Sequence, residues 1–131
     1  MINAGLRDGV NNGQIVTNDL GVVGRIFETG EKSSRILLLT DLNSRVPVVS
    51  AESRELSIVA GNNSPLLKML YVPDGSKMKI GEEIYTSGDG EYFPQGLLIG
   101  YIYSINDKSI MVKPAVDWSR MEVVSIVNYS H

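Results

Sequence analysis

Apolar residues in this chain come in short runs rich in Val, Ile and Leu, and a turn former closes each run. No window of about eleven residues or more keeps apolar residues at i, i+3, i+4 and i+7, so the amphipathic-helix pattern is missing. Short β-branched runs between turn residues are the mark of strands instead. They predict strands over 14–17, 21–28, 34–39, 46–50, 56–60, 66–72, 83–87, 97–105, 109–113 and 122–127. Between them lie Asn11-Asn12-Gly13, Asn18-Asp19, Thr29-Gly30, Gly61-Asn62-Asn63, Asp74-Gly75 and Asn106-Asp107. These residue types accept positive φ or bond their own backbone in turns. The Asn106-Asp107 turn predicts a hairpin with Tyr101, Tyr103 and Ile105 on one face and Ile102 on the other. Many short strands with frequent turns make a sandwich or a barrel, so the chain reads as all-β.

A weak internal repeat points to a paired architecture. Moving 21–50 by seventy-six positions onto 97–126 matches Gly24 with Gly100, Ile26 with Ile102, and Lys32-Ser33 with Lys108-Ser109. It also matches Asp41 with Asp117 and Val48 with Val124. Upstream, Gly13-Gln14-Ile15-Val16-Thr17 is similar to Gly81-Glu82-Glu83-Ile84-Tyr85-Thr86. Such a repeat implies two similar small barrels packed together. The 131 residues suffice for one ordinary domain or for two very small ones that support each other.

Charge and residue inventory narrow the function. Net charge is −3 and no basic block stands out, which argues against nucleic acid and against an anionic membrane surface. The chain has no cysteine, so disulfides and thiolate metal sites are closed. The longest aliphatic run, Ile36-Leu37-Leu38-Leu39, is far too short to span a bilayer. The single histidine is His131. Serine–histidine and cysteine–histidine catalysis therefore lack their base or their nucleophile, and zinc lacks its usual ligands. Lys68, Lys77 and Lys79 leave a serine–lysine dyad formally open, but none sits in a recognisable motif. No catalytic, metal-binding or cofactor-binding residue is assigned.

The acidic pairs Glu82-Glu83 and Glu52 with Glu55 read as solvated charges, because sequence adjacency builds no cleft. Gly88-Asp89-Gly90 lacks the residues of a phosphate loop or a calcium loop and reads as a hairpin tip. Around Asp41 an aliphatic strand ends and a polar turn follows. Asp41 and Asn43 can accept hydrogen bonds from turn amides, Arg45 could pair with Asp41, and Pro47 marks a sheet edge. Asp117 stands at the matching place in the repeat and is expected to cap an equivalent turn.

Several blocks carry a resemblance, and they come in order along the chain. They are Gly21-Val22-Val23-Gly24-Arg25-Ile26, and Leu37-Leu38-Leu39-Thr40-Asp41-Leu42-Asn43-Ser44-Arg45-Val46-Pro47-Val48. Then come Thr86-Ser87-Gly88-Asp89-Gly90, Phe93-Pro94-Gln95-Gly96-Leu97, Lys113-Pro114-Ala115-Val116-Asp117 and Arg120-Met121-Glu122-Val123-Val124. Together they resemble the extracytoplasmic β-region of the rod shape-determining MreC family. One departure is Leu42, where the family pattern has a proline or a small residue. The resemblance implies two small, closely packed six-stranded β-barrels outside the bacterial inner membrane, on the periplasmic side. An N-terminal transmembrane anchor and a coiled coil would precede them in a longer protein, and only that anchor would touch the membrane.

It also implies a non-catalytic scaffold of cell-wall elongation that maintains rod shape, self-associates as a dimer or filament, and docks peptidoglycan synthases. The implied partners are the penicillin-binding transpeptidase of elongation, RodA and MreD, with no cofactor and no nucleic acid. Within 1–131, strand counting favours one barrel, 18–72, inserted into another made of 1–17 and 73–131, with a sixth strand in the latter if Ile2-Asn3 pairs. A sequential split near residue 72 is the alternative. The loop of Phe93, Pro94 and Leu97 is the expected partner surface, with packing into the core as the alternative. The rival reading is a small acidic β-barrel that binds RNA or another protein.

Overall fold

The computed structural model of the chain describes residues 13–30, 34–90, 93–106, 109–116 and 125–127. Ten strands run through them: β1 (Ile15–Thr17), β2 (Val22–Thr29), β3 (Ser34–Leu38), β4 (Arg45–Ser50) and β5 (Leu56–Ala60). They continue with β6 (Leu67–Leu70), β7 (Glu83–Thr86), β8 (Leu98–Asn106), β9 (Ser109–Pro114) and β10 (Ser125–Val127). Each expected run holds one strand, because alternation is a local signal. In β4, for example, Val46, Val48 and Ser50 turn inward while Arg45, Pro47 and Val49 turn outward.

Six strands close a barrel in the order β4-β5-β6-β9-β8-β7. The other four form a sheet in the order β10-β1-β2-β3. Of the two expected six-stranded barrels, one is thus closed within the described residues. Ile2 and Asn3 lie outside them. The expected grouping of 18–72 is not how the strands pair. β2 and β3 pair with β1, while β4, β5 and β6 enter the barrel with β7, β8 and β9.

The reason lies in the repeat, which the hydrogen-bond register makes explicit. In the β2–β3 hairpin, Gly24 faces Leu38, Arg25 faces Leu37 and Ile26 faces Ile36, with a bulge at Phe27. In the β8–β9 hairpin, Gly100 faces Pro114, Tyr101 faces Lys113 and Ile102 faces Val112, with a bulge at Tyr103. Every pair is offset by seventy-six, as in Gly24 to Gly100. The bonds before the first strand repeat as well. Gly13 N donates to Ile26 O at 2.7 Å and Gly81 N to Ile102 O at 2.8 Å; Ile26 N donates to Gln14 O and Ile102 N to Glu82 O. β10 then lies on β1 with Ile126 opposite Val16, just as β4 lies on β7 with Ser50 opposite Ile84.

So β1-β2-β3-β4 repeats as β7-β8-β9-β10, and each fourth strand completes the sheet of the other repeat. Boundaries drawn at chain breaks miss this exchange. Both repeats need a glycine at the same place. A Cβ on Gly24 would stand 2.1 Å from Leu37 O, and one on Gly100 would stand 2.1 Å from Lys113 O.

The barrel core holds Val46, Val48, Val59, Leu67, Met69, Ile84, Ile99, Ile102 and Val112. Ile15, Val22 and Leu39 from the sheet side belong to the same cluster. Burying each such side chain contributes about 1.5–3 kcal/mol. Because the fourth strands are exchanged and the core is continuous, neither unit can unfold without exposing the other. A scanning calorimeter should therefore record one cooperative transition, and two resolved peaks would contradict this.

Candidate interaction surface

The loop that joins β7 to β8 is the place where the two repeats differ in length. The offset is sixty-eight at Val16 and Ile84 but seventy-six at Gly24 and Gly100, so the second repeat has eight residues more between them. Phe93, Pro94 and Leu97 sit in this longer loop; Phe93 and Leu97 pack inward and Pro94 is half-buried. Phe93 is 5 % exposed and belongs to the core, and Leu97 packs against it. Thr86 clamps the loop: its hydroxyl donates to Pro94 O at 2.5 Å and accepts from Leu97 N at 2.8 Å. The Phe93 ring therefore packs into the core, the alternative to an exposed partner surface. Residues 93–97 fold back because an apolar ring and one buried threonine hold them there.

Asp41 sits in a turn between β3 and β4, and the bonds there differ from those expected. Asp41 Oδ1 accepts from Asn43 N at 2.8 Å. The Leu42 amide goes to Asn63 Oδ1 at 3.1 Å. Asn63 holds φ at 58° and also donates its own amide to Thr40 O. Asn43 serves here as a backbone donor. Arg45 does not pair with Asp41; its Nη1 donates to Leu42 O at 2.9 Å and Ser44 O at 2.8 Å. Asp117 lies outside the described residues. Sequence reading missed Asn63 and Gly61 because they reach this turn from the β5–β6 connection.

One exposed hydrogen bond is worth about 0.5–1.5 kcal/mol. Asp41→Ala should cost that much in a urea melt, Asp41→Asn should keep most of it, and Arg45→Ala should cost a similar amount through its two carbonyl bonds. Equal losses in Asp41→Ala and Asp41→Asn would contradict this account.

Glu82 was expected in solvent and is instead 5 % exposed. Its Oε2 accepts from Glu52 N, Ser53 N and the Ser53 hydroxyl at 2.8–2.9 Å, and its Oε1 accepts from Lys79 N at 3.0 Å. Burial pushes this carboxyl up, but the amides of Ser53, Lys79 and Glu52 and the Ser53 hydroxyl outweigh it and hold it below the ordinary carboxylate value. Glu55 likewise ties a neighbouring loop, accepting from the Ser76 hydroxyl and Lys77 N. Glu52 and Glu83 are solvent-exposed, as expected.

Part of the apolar surface that the core does not use lies on the outer face of the barrel. Leu56, Val49 and Tyr85 stand opposite one another across β5, β4 and β7. One row along, Glu83, Tyr101 and Lys113 stand opposite one another across β7, β8 and β9. Directly opposed residues share a face. Behind this second row, Ile84, Ile102 and Val112 are buried, so the rows form the solvent side. Leu56 is 62 % exposed, Tyr101 39 % and Tyr103 55 %. The Tyr85 hydroxyl donates to Glu83 Oε2 at 2.9 Å, and this bond raises the Tyr85 pKa. Tyr101 and Tyr103 lie where the period of the hairpin put them. An aliphatic and aromatic band with a carboxylate and an ammonium at its margin has the make-up of a protein-binding surface.

Among the described residues, no group of three or more His, Cys, Asp or Glu is placed to hold a metal ion. No helix among them is long and apolar enough to cross a membrane. A closed six-stranded barrel, interlocked by strand exchange with a second sheet on the same plan, defines a β-barrel core domain. Residues 1–128 match the family described as "Rod shape-determining protein MreC, barrel core". The chain belongs to this family of cell shape-determining proteins.

Among its relatives is the "Cell shape-determining protein MreC" of Cereibacter sphaeroides, 35 % identical over 127 residues. That match covers 97 % of this chain and 42 % of the relative, so the chain spans less than half of that protein's length. The crystal structure of MreC from Pseudomonas aeruginosa superposes with a TM-score of 0.91 at 30 % identity, covering 97 % of this chain and 86 % of that one. A Helicobacter pylori structure described as "Complex between Penicillin-Binding Protein (PBP2) and MreC" shares the fold. Its TM-score is 0.70 at 16 % identity, covering 89 % of this chain and 79 % of that one.

Proposed function

We infer that the chain is the extracytoplasmic, non-catalytic part of a scaffold that organises cell-wall elongation. It docks the penicillin-binding transpeptidase of elongation and associates with further copies of itself. RodA and MreD join the same assembly through the rest of the longer protein, whose anchor lies in the inner membrane. The observation that carries this reading is the band of exposed Leu56, Tyr101 and Tyr103 with the half-buried Tyr85 among them on the outer face of the barrel. The Helicobacter pylori complex with PBP2, formed by a protein of the same fold, supports it. The repeat supports a second barrel too: the sheet β10-β1-β2-β3 reproduces four of the six barrel strands, β4-β7-β8-β9.

Titration of the chain with the extracytoplasmic domain of the elongation transpeptidase, and separately with a polyanion such as heparin, separates this reading from an RNA-binding barrel. Saturable binding of the transpeptidase alone is expected. Binding of the polyanion alone would sink the scaffold reading.

A further inference from the structure

The barrel closes between β6 and β9 with its shortest ladder, two pairs: Leu67 with Val112 and Lys68 with Met111. Every other neighbouring pair in the barrel holds three or more. Both strands run past the ladder. β6 stays on β5 as far as Leu70 opposite Ile58, and β9 starts at Ser109 opposite Asn106 on β8. Across the seam, 69–70 and 109–110 are not paired with each other. A pocket of about 450 Å³ opens there. The buried Met69 and Ile110 line it, together with Lys68, Asp74 and Asn106. Tyr71, also in its lining, is 79 % exposed and holds φ at 59°. A large aromatic residue rarely adopts that conformation, and where it persists it is held there by its surroundings.

We propose that this seam is a docking slot for an extended segment of a partner polypeptide. The segment adds a strand along the open strand edges and lays one apolar side chain on Met69 and Ile110. Strand edges offer a regular series of donors and acceptors, which another extended backbone matches. Lys68 and Asp74 are exposed and have no ion-pair partner among the described residues. The segment is therefore one that brings a carboxylate to Lys68 and a base to Asp74. Tyr71, exposed beside the slot, supplies the aromatic contact that anchors such segments. The slot uses other residues than the Tyr85–Tyr101 band, so it stands or falls independently of transpeptidase docking.

The test is a phage-display selection of random nine-residue peptides on the intact chain, followed by titration of the selected peptides into the isotopically labelled chain. Amide shifts are expected to centre on 69–71 and 109–110. A peptide N-methylated at alternate residues should bind roughly tenfold more weakly, since it loses one edge of donors. Tyr71→Gly should weaken binding to a similar degree while keeping the fold, because glycine accepts positive φ. Lys68→Glu should shift selection from acidic to basic peptides. Three results would each overturn the proposal: selected peptides that map elsewhere, selection that yields no binder, and N-methylated peptides that bind as well as their parents.

Discussion

Gly61→Ala is expected to be the most damaging addition of a single methyl group to this protein, at about 3 kcal/mol, the upper end of what overpacking costs. A Cβ there would lie 2.0 Å from Asp41 O, 2.5 Å from the Thr40 carbonyl carbon and 2.6 Å from Leu39 O. All three are backbone atoms, so no side chain can swing aside to make room. The strand end and the Asp41 turn would have to separate, breaking the Gly61 N to Ser44 O bond that joins them. Gly24→Ala and Gly100→Ala should follow closely, since each places a methyl group 2.1 Å from a carbonyl oxygen of the paired strand.

Gly81→Ala is the control. It has φ 89° and nothing within 4 Å of its Cβ, so only left-handed strain of about 1–2 kcal/mol applies. Urea melts should rank Gly61→Ala below Gly81→Ala in stability. The reverse order would mean that the two strand turns are not in close contact.

Glu82→Ala should cost about 2–4 kcal/mol, because it strips acceptors from four donors in a buried site. Glu82→Gln should recover only part of this. Its amide oxygen can take the Glu52 and Ser53 donors, but its NH₂ then faces the Lys79 amide, donor against donor. The pH dependence follows from the sign of the shift. The folded carboxyl titrates below its ordinary value of 4.5. Its stabilising share is therefore complete above that pH and is lost as pH falls through the lower, folded value. In Glu82→Gln the acid limb of the stability curve should be shallower than in the wild type. An unchanged acid limb would show that Glu82 is not the group responsible.

What the sequence made legible was local. The β8 hairpin showed its outer and inner faces because Tyr101, Ile102 and Tyr103 alternate within one strand. The repeat showed through Gly24 and Gly100 because a 2.1 Å approach of a carbonyl tolerates no other residue. What stayed hidden depends on segments distant in the chain. β4 leaves its own repeat to pair with β7, which no run of neighbouring residues announces. Glu82 looks like half of an acidic pair until the turn after β4 arrives to bury it. Phe93 looks like a loop aromatic until Thr86 folds the loop back over the barrel. The outward band came from the same alternation that built the core.

The scaffold account is tested most directly by titration calorimetry of the purified chain against the extracytoplasmic domain of the elongation transpeptidase. The double variant Tyr101→Thr with Tyr103→Thr removes two exposed rings of the band, keeps strand-favouring residues opposite Glu83, and leaves the buried Ile102 in place. Asp19→Ala, an exposed change outside the band, is the control. The account predicts saturable binding by the wild type and by Asp19→Ala. The double variant should lose roughly tenfold or more in affinity at an unchanged melting temperature, as for the loss of aromatic anchors. No binding by the wild type, or equal binding by the double variant, would contradict it.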